Sequence, residues 1–366
     1  MKKIICTVTN DLNFDQRMIR ICTSLSNAGY DVLLVGRQLP HSPVLQKQPF
    51  QQKRFSLFSN KGKLFYLEYN IRLFFFLLIN RFDAVCSVDL DSLMPGFLVA
   101  KLKKKVCVYD AHEYFTEVPE LVDRPNVKRI WESMAYFLIP KLTFAYTVCE
   151  SLAEIFQQKY GVHFNVIRNV PTAKPIPSRH VRGGDSFILI YQGVLNDGRG
   201  LEEAVGAMEL LEGVELWLAG EGDLSGFLRK MVQEKRLENK VVFYGRVSPD
   251  ELHSLTIQAH LGLNLLKNKG LNYYYSLANK TFDYMQAGIP SICMAFPEYK
   301  KLYRQTKAIV LLEELSEKQI ADAVKTLKNN SRQFEEMCER NREAAAEWVW
   351  EKEEKKLLHF YTALWS

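Results

Sequence analysis

The sequence predicts an α/β protein with two doubly wound parallel sheets, on three observations. Short apolar runs alternate with amphipathic helical patterns through the first half. The same rhythm restarts in the second half, and a stretch rich in proline, glycine and charge separates them. Alternation of this kind requires parallel strands joined by helical crossovers.

In the first half, Ile4–Val8, Asp31–Gly36, Asp83–Val88, Val106–Tyr109, Phe144–Val148 and Phe164–Ile167 read as strands. Gln16–Ala28 and Asn126–Leu142 read as helices. The first carries Met18, Ile21, Cys22 and Leu25 on one face and stops at Gly29, as a sheet-packed helix should. Lys61 to Arg81 is the most apolar and aromatic segment, with Lys61, Lys63, Arg72 and Arg81 among or beside its greasy positions. A basic amphipathic helix on a membrane surface and a helix buried on a sheet share that composition. Burial is expected for Leu73 to Ile79, with a membrane-facing role for the basic flank as the competing reading.

Ser151 and Glu154 read as a capping box opening a helix that ends before Gly161. Residues 1–170 form the expected first domain, 171–185 the linker and 186–344 the second domain, with a last helix at about 345–366 packing back on the first. In the second domain Phe187–Tyr191, Val214–Ala219, Val241–Tyr244, Leu261–Leu266, Ser291–Met294 and Ala308–Leu312 read as strands. The helices between them are Leu201–Leu211, Leu224–Arg236, Pro249–Gln258, Lys280–Ala287 and Glu317–Asn329. Ser248 and Glu251, with Pro249 at the first helical position, read as a second capping box. From Ser331 a charged helical tail carries an apolar stripe that includes Trp348, Trp350, Leu357, Phe360, Tyr361 and Trp365.

Composition bounds the function. At 366 residues, 47% hydrophobic and 25% charged, the chain has core enough for two domains. The net charge of +6 is spread along the chain, and no nucleic-acid-binding module is recognisable. Seven cysteines, without a C-x-x-C pair, suit buried thiols in a reducing compartment. The opening apolar run is too short for a signal peptide and no stretch approaches the length of a membrane span, so a cytoplasmic location is expected. The loop after the first strand has no G-x-G-x-x-G fingerprint, which weighs against nicotinamide and flavin enzymes.

Chemistry concentrates at Asn272 to Met294. Ser276 to Asn279 delivers the chain into a helix near Lys280, with Gly288 and Pro290 at its stop. A helix start attracts phosphate, Lys280 adds a full charge, and Asp283 is placed to accept hydrogen bonds from hydroxyls beside that phosphate. Such a set suits a nucleoside diphosphate, and equally an ordinary amphipathic helix with a solvated Lys and Asp. Gln192, Gly193, Arg199 and Gly200 follow the first strand of the same domain, where glycine admits a ligand close to the backbone and arginine binds diphosphate. A flexible turn with a surface arginine is the alternative. In the first domain Asp89-x-Asp91 and Tyr109-Asp110-Ala111-His112-Glu113 sit at strand carboxyl ends, the edge where such sheets bind ligands. Two aspartates are too few oxygen ligands for a metal site, and none is expected.

The run SLANKTFDYMQAGIPSI, from Ser276, resembles the donor-binding segment of family-4 glycosyltransferases of the bacterial surface-polysaccharide type. Further resemblances lie in Asp15-Gln16-Arg17, Tyr109–Glu113 with Val118–Leu121, Arg168–Pro171, Gln192–Gly200 and Ala219–Gly222. The resemblance covers nearly the whole chain and implies the GT-B fold, two Rossmann-like domains facing across a cleft. It implies metal-independent transfer of a sugar from a nucleotide-diphosphate sugar, with retention, and no cofactor. Gly193, Arg199, Gly220, Asn279, Lys280 and Asp283 would bind the donor. Arg199 and Lys280 would stabilise the departing diphosphate, and His112 would orient the sugar or acceptor. Asn13, Asp15, Asp91 and Glu113 would line the acceptor side. The partners implied are the nucleotide sugar and a glycan or lipid-linked acceptor, with peripheral contact to the inner membrane face.

The sequence departs from the family pattern twice. The first of two glutamates spaced eight apart is Tyr275, the second is Asp283, and Val194 replaces the first basic residue of the diphosphate grip. A nucleotide-sugar 2-epimerase and a non-catalytic nucleotide-sugar-binding subunit share this outline and remain the alternatives.

Overall fold

The computed structural model describes residues 1–176 and 186–365; most of the expected linker, 177–185, lies outside the described residues. The chain divides into two compact units, Met1–Asn169 with Lys352–Ser366, and Val170–Glu351.

The first unit runs β1 (Lys3–Thr7), α1 (Gln16–Asn27), β2 (Asp31–Gln38), β3 (Gln51–Ser56), α2 (Gly62–Ile79), β4 (Ala84–Val88), α3 (Asp89–Lys103), β5 (Val106–Ala111), α4 (Pro119–Val122), α5 (Pro125–Leu138), β6 (Phe144–Thr147), α6 (Glu150–Tyr160) and β7 (Asn165–Val166). Its seven parallel strands take the order β3-β2-β1-β4-β5-β6-β7. The order turns back between β1 and β4, so the loops leaving those two strands diverge at their carboxyl ends and open a crevice there. β4 is buried along its whole length, as a strand covered on both faces must be.

Two elements differ from expectation for identifiable reasons. β3 is a polar edge strand, QQKRFS, with only Phe55 turned into the core, so it carries no apolar run to read. α3 is not among the helices expected from the sequence, and it runs unbroken through Pro95-Gly96. A Cβ on Gly96 would lie 2.2 Å from Ser87 Oγ, so glycine is what lets α3 press onto β4. A third difference is a correction at α6, which starts one residue before the expected box. Its N-cap is Cys149, and Ser151 lies inside the first turn.

α2 buries one stripe, Phe65, Tyr69, Leu73 and Leu77, at helical spacing against Ile5, Val35 and Val85. Tyr69 also donates its hydroxyl to the Val8 carbonyl. Burial of Leu73 is as expected, but Phe75 and Ile79 point outward at 58% and 79% exposure.

The second unit contains β8 (Phe187–Gln192), α7 (Leu201–Ala207), β9 (Val214–Ala219), α8 (Ser225–Glu234), β10 (Val241–Gly245), α9 (Pro249–Thr256), β11 (Leu261–Asn264), α10 (Leu271–Tyr274), α11 (Asn279–Gln286), β12 (Ser291–Met294), α12 (Pro297–Thr306), β13 (Ile309–Leu312), α13 (Glu317–Asn329) and α14 (Ser331–Glu347). Its parallel order is β10-β9-β8-β11-β12-β13, with the reversal between β8 and β11. α9 opens with the capping box of Ser248 and Glu251. α11 packs on α14, and Phe282 stacks on Trp348 at 5.3 Å between ring centroids, closing the end of this unit.

The last helix, α15 (Trp350–Ala363), belongs to the first unit from Lys352 onward. Leu357 and Tyr361 are fully buried, and Phe360 meets the Tyr146 ring edge-on at 5.2 Å. Glu353 accepts from the Arg168 backbone N–H and pairs with its guanidinium. Replacing Tyr361 with Ala is expected to destabilise the chain by about 3–5 kcal/mol, as loss of a fully buried aromatic ring does. Denaturant unfolding monitored by far-UV circular dichroism would measure it, and a loss below about 1 kcal/mol would mean that α15 is not integral to that core.

Candidate active site

In the second unit the site is built at the carboxyl ends of β8, β9 and β11. Gly193 donates its N–H to the Ala219 carbonyl at 3.0 Å, which draws the ends of β8 and β9 together. A Cβ on Gly220 would lie 1.9 Å from the Gly193 carbonyl oxygen, and Gly220 has φ +154, so a side chain is excluded on two grounds. Bare backbone is thereby left at the strand ends.

α11 enters this edge with Ala278 as its N-cap, which offers no capping side chain. Tyr299 fixes the entry, accepting from the Ala278 N–H at 2.9 Å and from Asn264 Nδ2 at 2.8 Å. Lys280, in the first turn, lies with Nζ 3.8 Å from the centre of the Tyr191 ring, and a Cβ on Gly193 would be 3.7 Å from that Nζ. Burial pushes the Lys280 ammonium well below the usual lysine range, and the positive charge of Arg199 adds to the effect. Arg199 holds its guanidinium 4.9 Å from the centre of the Tyr273 ring, and its buried Nε has no hydrogen-bond partner. Two cations thus repel each other beside a helix start. An anion would relieve that arrangement.

Asp283 accepts from Gln192 Nε2 at 2.9 Å, while Gln192 Oε1 accepts from Thr256 at 2.9 Å. Gln192, the last residue of β8, therefore orients Asp283, a role that reading the strand by its apolar run does not detect. Its signal was a polar side chain closing an otherwise apolar strand. Asn279, at the first position of α11, is exposed.

In the first unit a buried charge network occupies the edge at β1, β4 and β5. Arg17 pairs with Asp110 at 3.0 Å, both nearly inaccessible, and donates to the Ile167 carbonyl at 2.9 Å. His112 Nε2 lies 3.3 Å from Asp110 Oδ2, close enough to pair but without hydrogen-bond geometry. Burial opposes protonation of His112, yet Asp110 outweighs it and raises the imidazole above its usual pKa. Burial likewise opposes ionisation of Asp110, and Arg17 and His112 reverse it, holding the carboxyl below its usual range. Asp89, in the left-handed region at φ +54, accepts from the backbone N–H groups of His112 and Glu113 at 2.9 and 3.3 Å. It is the bracket that holds this loop.

The residues expected on the acceptor side separate. Asp91 is buried and accepts from Thr9 at 2.6 Å, and Glu113 is exposed. Asp15 caps α1, accepting from the Met18 N–H at 3.0 Å. Asn13 pins the loop after β2, donating to the Val44 carbonyl at 2.9 Å and accepting from the Gln46 N–H at 3.1 Å. Both side chains are engaged in local structure. Among the described residues no group of three or more His, Cys, Asp or Glu could hold a metal ion.

Burial raises Asp91 to about 6, with the Thr9 hydrogen bond opposing the shift. Its folded pKa exceeds the unfolded value, so the native state binds more protons and this group's contribution is lost as pH rises from about 4 to 6. Asp91→Asn is expected to be more stable than the parent above pH 6, by up to about 3 kcal/mol, and no more stable near pH 4. Paired denaturant titrations across that range test it, and a pH-independent difference would refute the shift.

The comparisons agree with this architecture. Residues 174–348 match the family model described as glycosyl transferases group 1. No curated protein matches the chain's sequence. Among solved structures, the sucrose-phosphate synthase of Thermosynechococcus elongatus aligns over 100% of this chain and 99% of its own at 15% identity, TM-score 0.80. Alr3699/HepE of Anabaena, in complex with UDP and glucose, aligns over 99% and 100% at 14% identity, TM-score 0.80. WaaG, a glycosyltransferase involved in lipopolysaccharide biosynthesis, aligns over 97% and 98% at 15% identity, TM-score 0.72. Both sheets and their crossovers are those of the GT-B fold, and within it residues 174–348 form a domain that matches the glycosyl transferases group 1 model.

Proposed function

We propose that the chain transfers a sugar from a nucleotide-diphosphate sugar to an acceptor hydroxyl, with retention at the anomeric carbon, in the synthesis of a surface polysaccharide or glycoconjugate. The observation that carries the reading is the pair of mutually repelling cations, Lys280 and Arg199, beside the uncapped start of α11 and the bare backbone of Gly193. Negative charge grows on the diphosphate as the bond from the anomeric carbon to the β-phosphate oxygen breaks, and cations already in place stabilise it without reorganisation. Asp283, held by Gln192, accepts from the ribose hydroxyls. The acceptor oxygen bonds to the anomeric carbon, and its proton passes to the departing phosphate oxygen, so no protein base is needed. His112, positioned by Asp110 and Asp89, orients the sugar or the acceptor. The UDP in the HepE complexes supports UDP as the first nucleotide to try.

Lys280→Ala is expected to lower turnover at least about 100-fold, the scale of losing one transition-state charge contact, while the thermal unfolding midpoint of the unliganded protein stays close to the parent's. Turnover within about 3-fold of the parent would remove Lys280 from the mechanism. Because Lys280 in the free protein is shifted toward its neutral form, a diphosphate that restores the ammonium should take up protons on binding wherever the pH lies above the free-state value. Calorimetry of UDP binding in buffers of different ionisation enthalpy reads that uptake. Zero uptake across the alkaline range would mean that the phosphates do not reach Lys280.

A further inference from the structure

β11 is Leu261-Gly262-Leu263-Asn264 and Leu265 and Leu266 follow it, so a single amide interrupts an otherwise apolar run. Asn264 is only 1% exposed. A polar side chain buried in an apolar run contradicts the pattern that makes the strand, and such contradictions are expected where a site demands them. Leucine would fill much the same space and agree with the run.

The amide is spent on the start of α11. Its Nδ2 donates to Thr281 Oγ1 at 2.9 Å and to the Tyr299 hydroxyl at 2.8 Å, and all three side chains are buried. Thr281 stands in the first turn of α11, directly after Lys280. Tyr299, on α12, accepts in turn from the N–H of Ala278, the N-cap of α11, at 2.9 Å. The end of β11 therefore reaches the helix start by two routes, one direct and one through α12. Both arrive within two residues of Lys280.

The same amide is left half satisfied. Asn264 Oδ1 is buried and has no hydrogen-bond partner among the described residues. A buried carbonyl without a donor opposes folding. Its bonded end, by contrast, steadies a helix whose N-cap makes no side-chain capping bond, and an uncapped first turn frays easily. Asn264 is thus unfavourable to its own strand and favourable to the turn that carries Lys280.

We propose that Asn264 is a positioning residue of the diphosphate site, holding the first turn of α11 and Lys280 in place through Thr281 and Tyr299, at no gain in fold stability. The role of the turn rests on the nucleotide-sugar reading given above, whereas the clamp exists with or without a ligand.

Asn264→Leu tests both halves in the full chain. Thr281 and Tyr299 each keep another partner, the Cys293 thiol at 3.9 Å and the Ala278 N–H, so the thermal unfolding midpoint should be no lower than the parent's. Hydrogen exchange of the Ala278 and Thr281 amides in the unliganded protein should quicken at least about 5-fold, the scale of one hydrogen bond. UDP affinity by calorimetry should fall at least about 5-fold, the scale of a charge contact at a helix start. Thr281→Val breaks the direct route from the helix side and should weaken UDP to a similar extent, which keeps the clamp testable should Asn264→Leu fail to fold. Unchanged exchange at both amides, parent-like UDP affinity in either folded variant, or an Asn264→Leu protein that is less stable or unfolded would each overturn the proposal. Failure of the parent itself to bind UDP would count against the nucleotide-sugar reading, and amide exchange would still decide the clamp.

Discussion

A parallel sheet must be covered on both faces, and that constraint organises both units. Its strands cannot pair by tight hairpins, so every return passes through a crossover, and polar chemistry collects at the strand ends. The reversals between β1 and β4 and between β8 and β11 decide which ends matter. At those two points neighbouring loops part, and bare backbone and strand-end side chains lie beside residues of the flanking loops and helices. Gly193, Gly220 and Gln192 in one unit, and Asp89, Asp110 and His112 in the other, hold those positions.

The two edges solve the problem of buried charge differently. In the first unit the network around His112 is internally matched: Arg17 pairs with Asp110, Asp110 with His112, and Asp89 accepts from the His112 backbone. Removing one member would strand its partner in a low-dielectric site, which makes the network a rigid positioning device. In the second unit Lys280 and Arg199 rest on aromatic faces, and Asp283 partly offsets the lysine. Cation–π contact is weaker than an ion pair and is readily exchanged for a phosphate. One arrangement holds geometry, and the other holds unspent charge.

Some roles expected from resemblance proved to have prior engagements. Asp15 and Asn13 stand in the loop after β1, where Asp15 caps α1 and Asn13 anchors the loop after β2. Conversely Tyr299 belongs to no recognisable motif and Gln192 stands in one without an expected role, yet they orient the start of α11 and Asp283 through contacts spanning 21 and 91 residues.

By itself the sequence determined the elements whose signals are local. Apolar runs marked β9 and β12, the Ser248 box marked α9, and the alternation of runs and helical patterns marked both sheets and the helix starting near Lys280. Tertiary structure alone decided what depends on neighbours distant in the chain. α3 survives Pro95-Gly96 because β4 is close enough to demand the glycine, β3 pairs despite its polar composition because β2 offers an open edge, and α2 shows two apolar stripes of which only one meets a sheet. Periodicity records that a face is greasy. Which greasy face is covered is settled only when the other elements arrive.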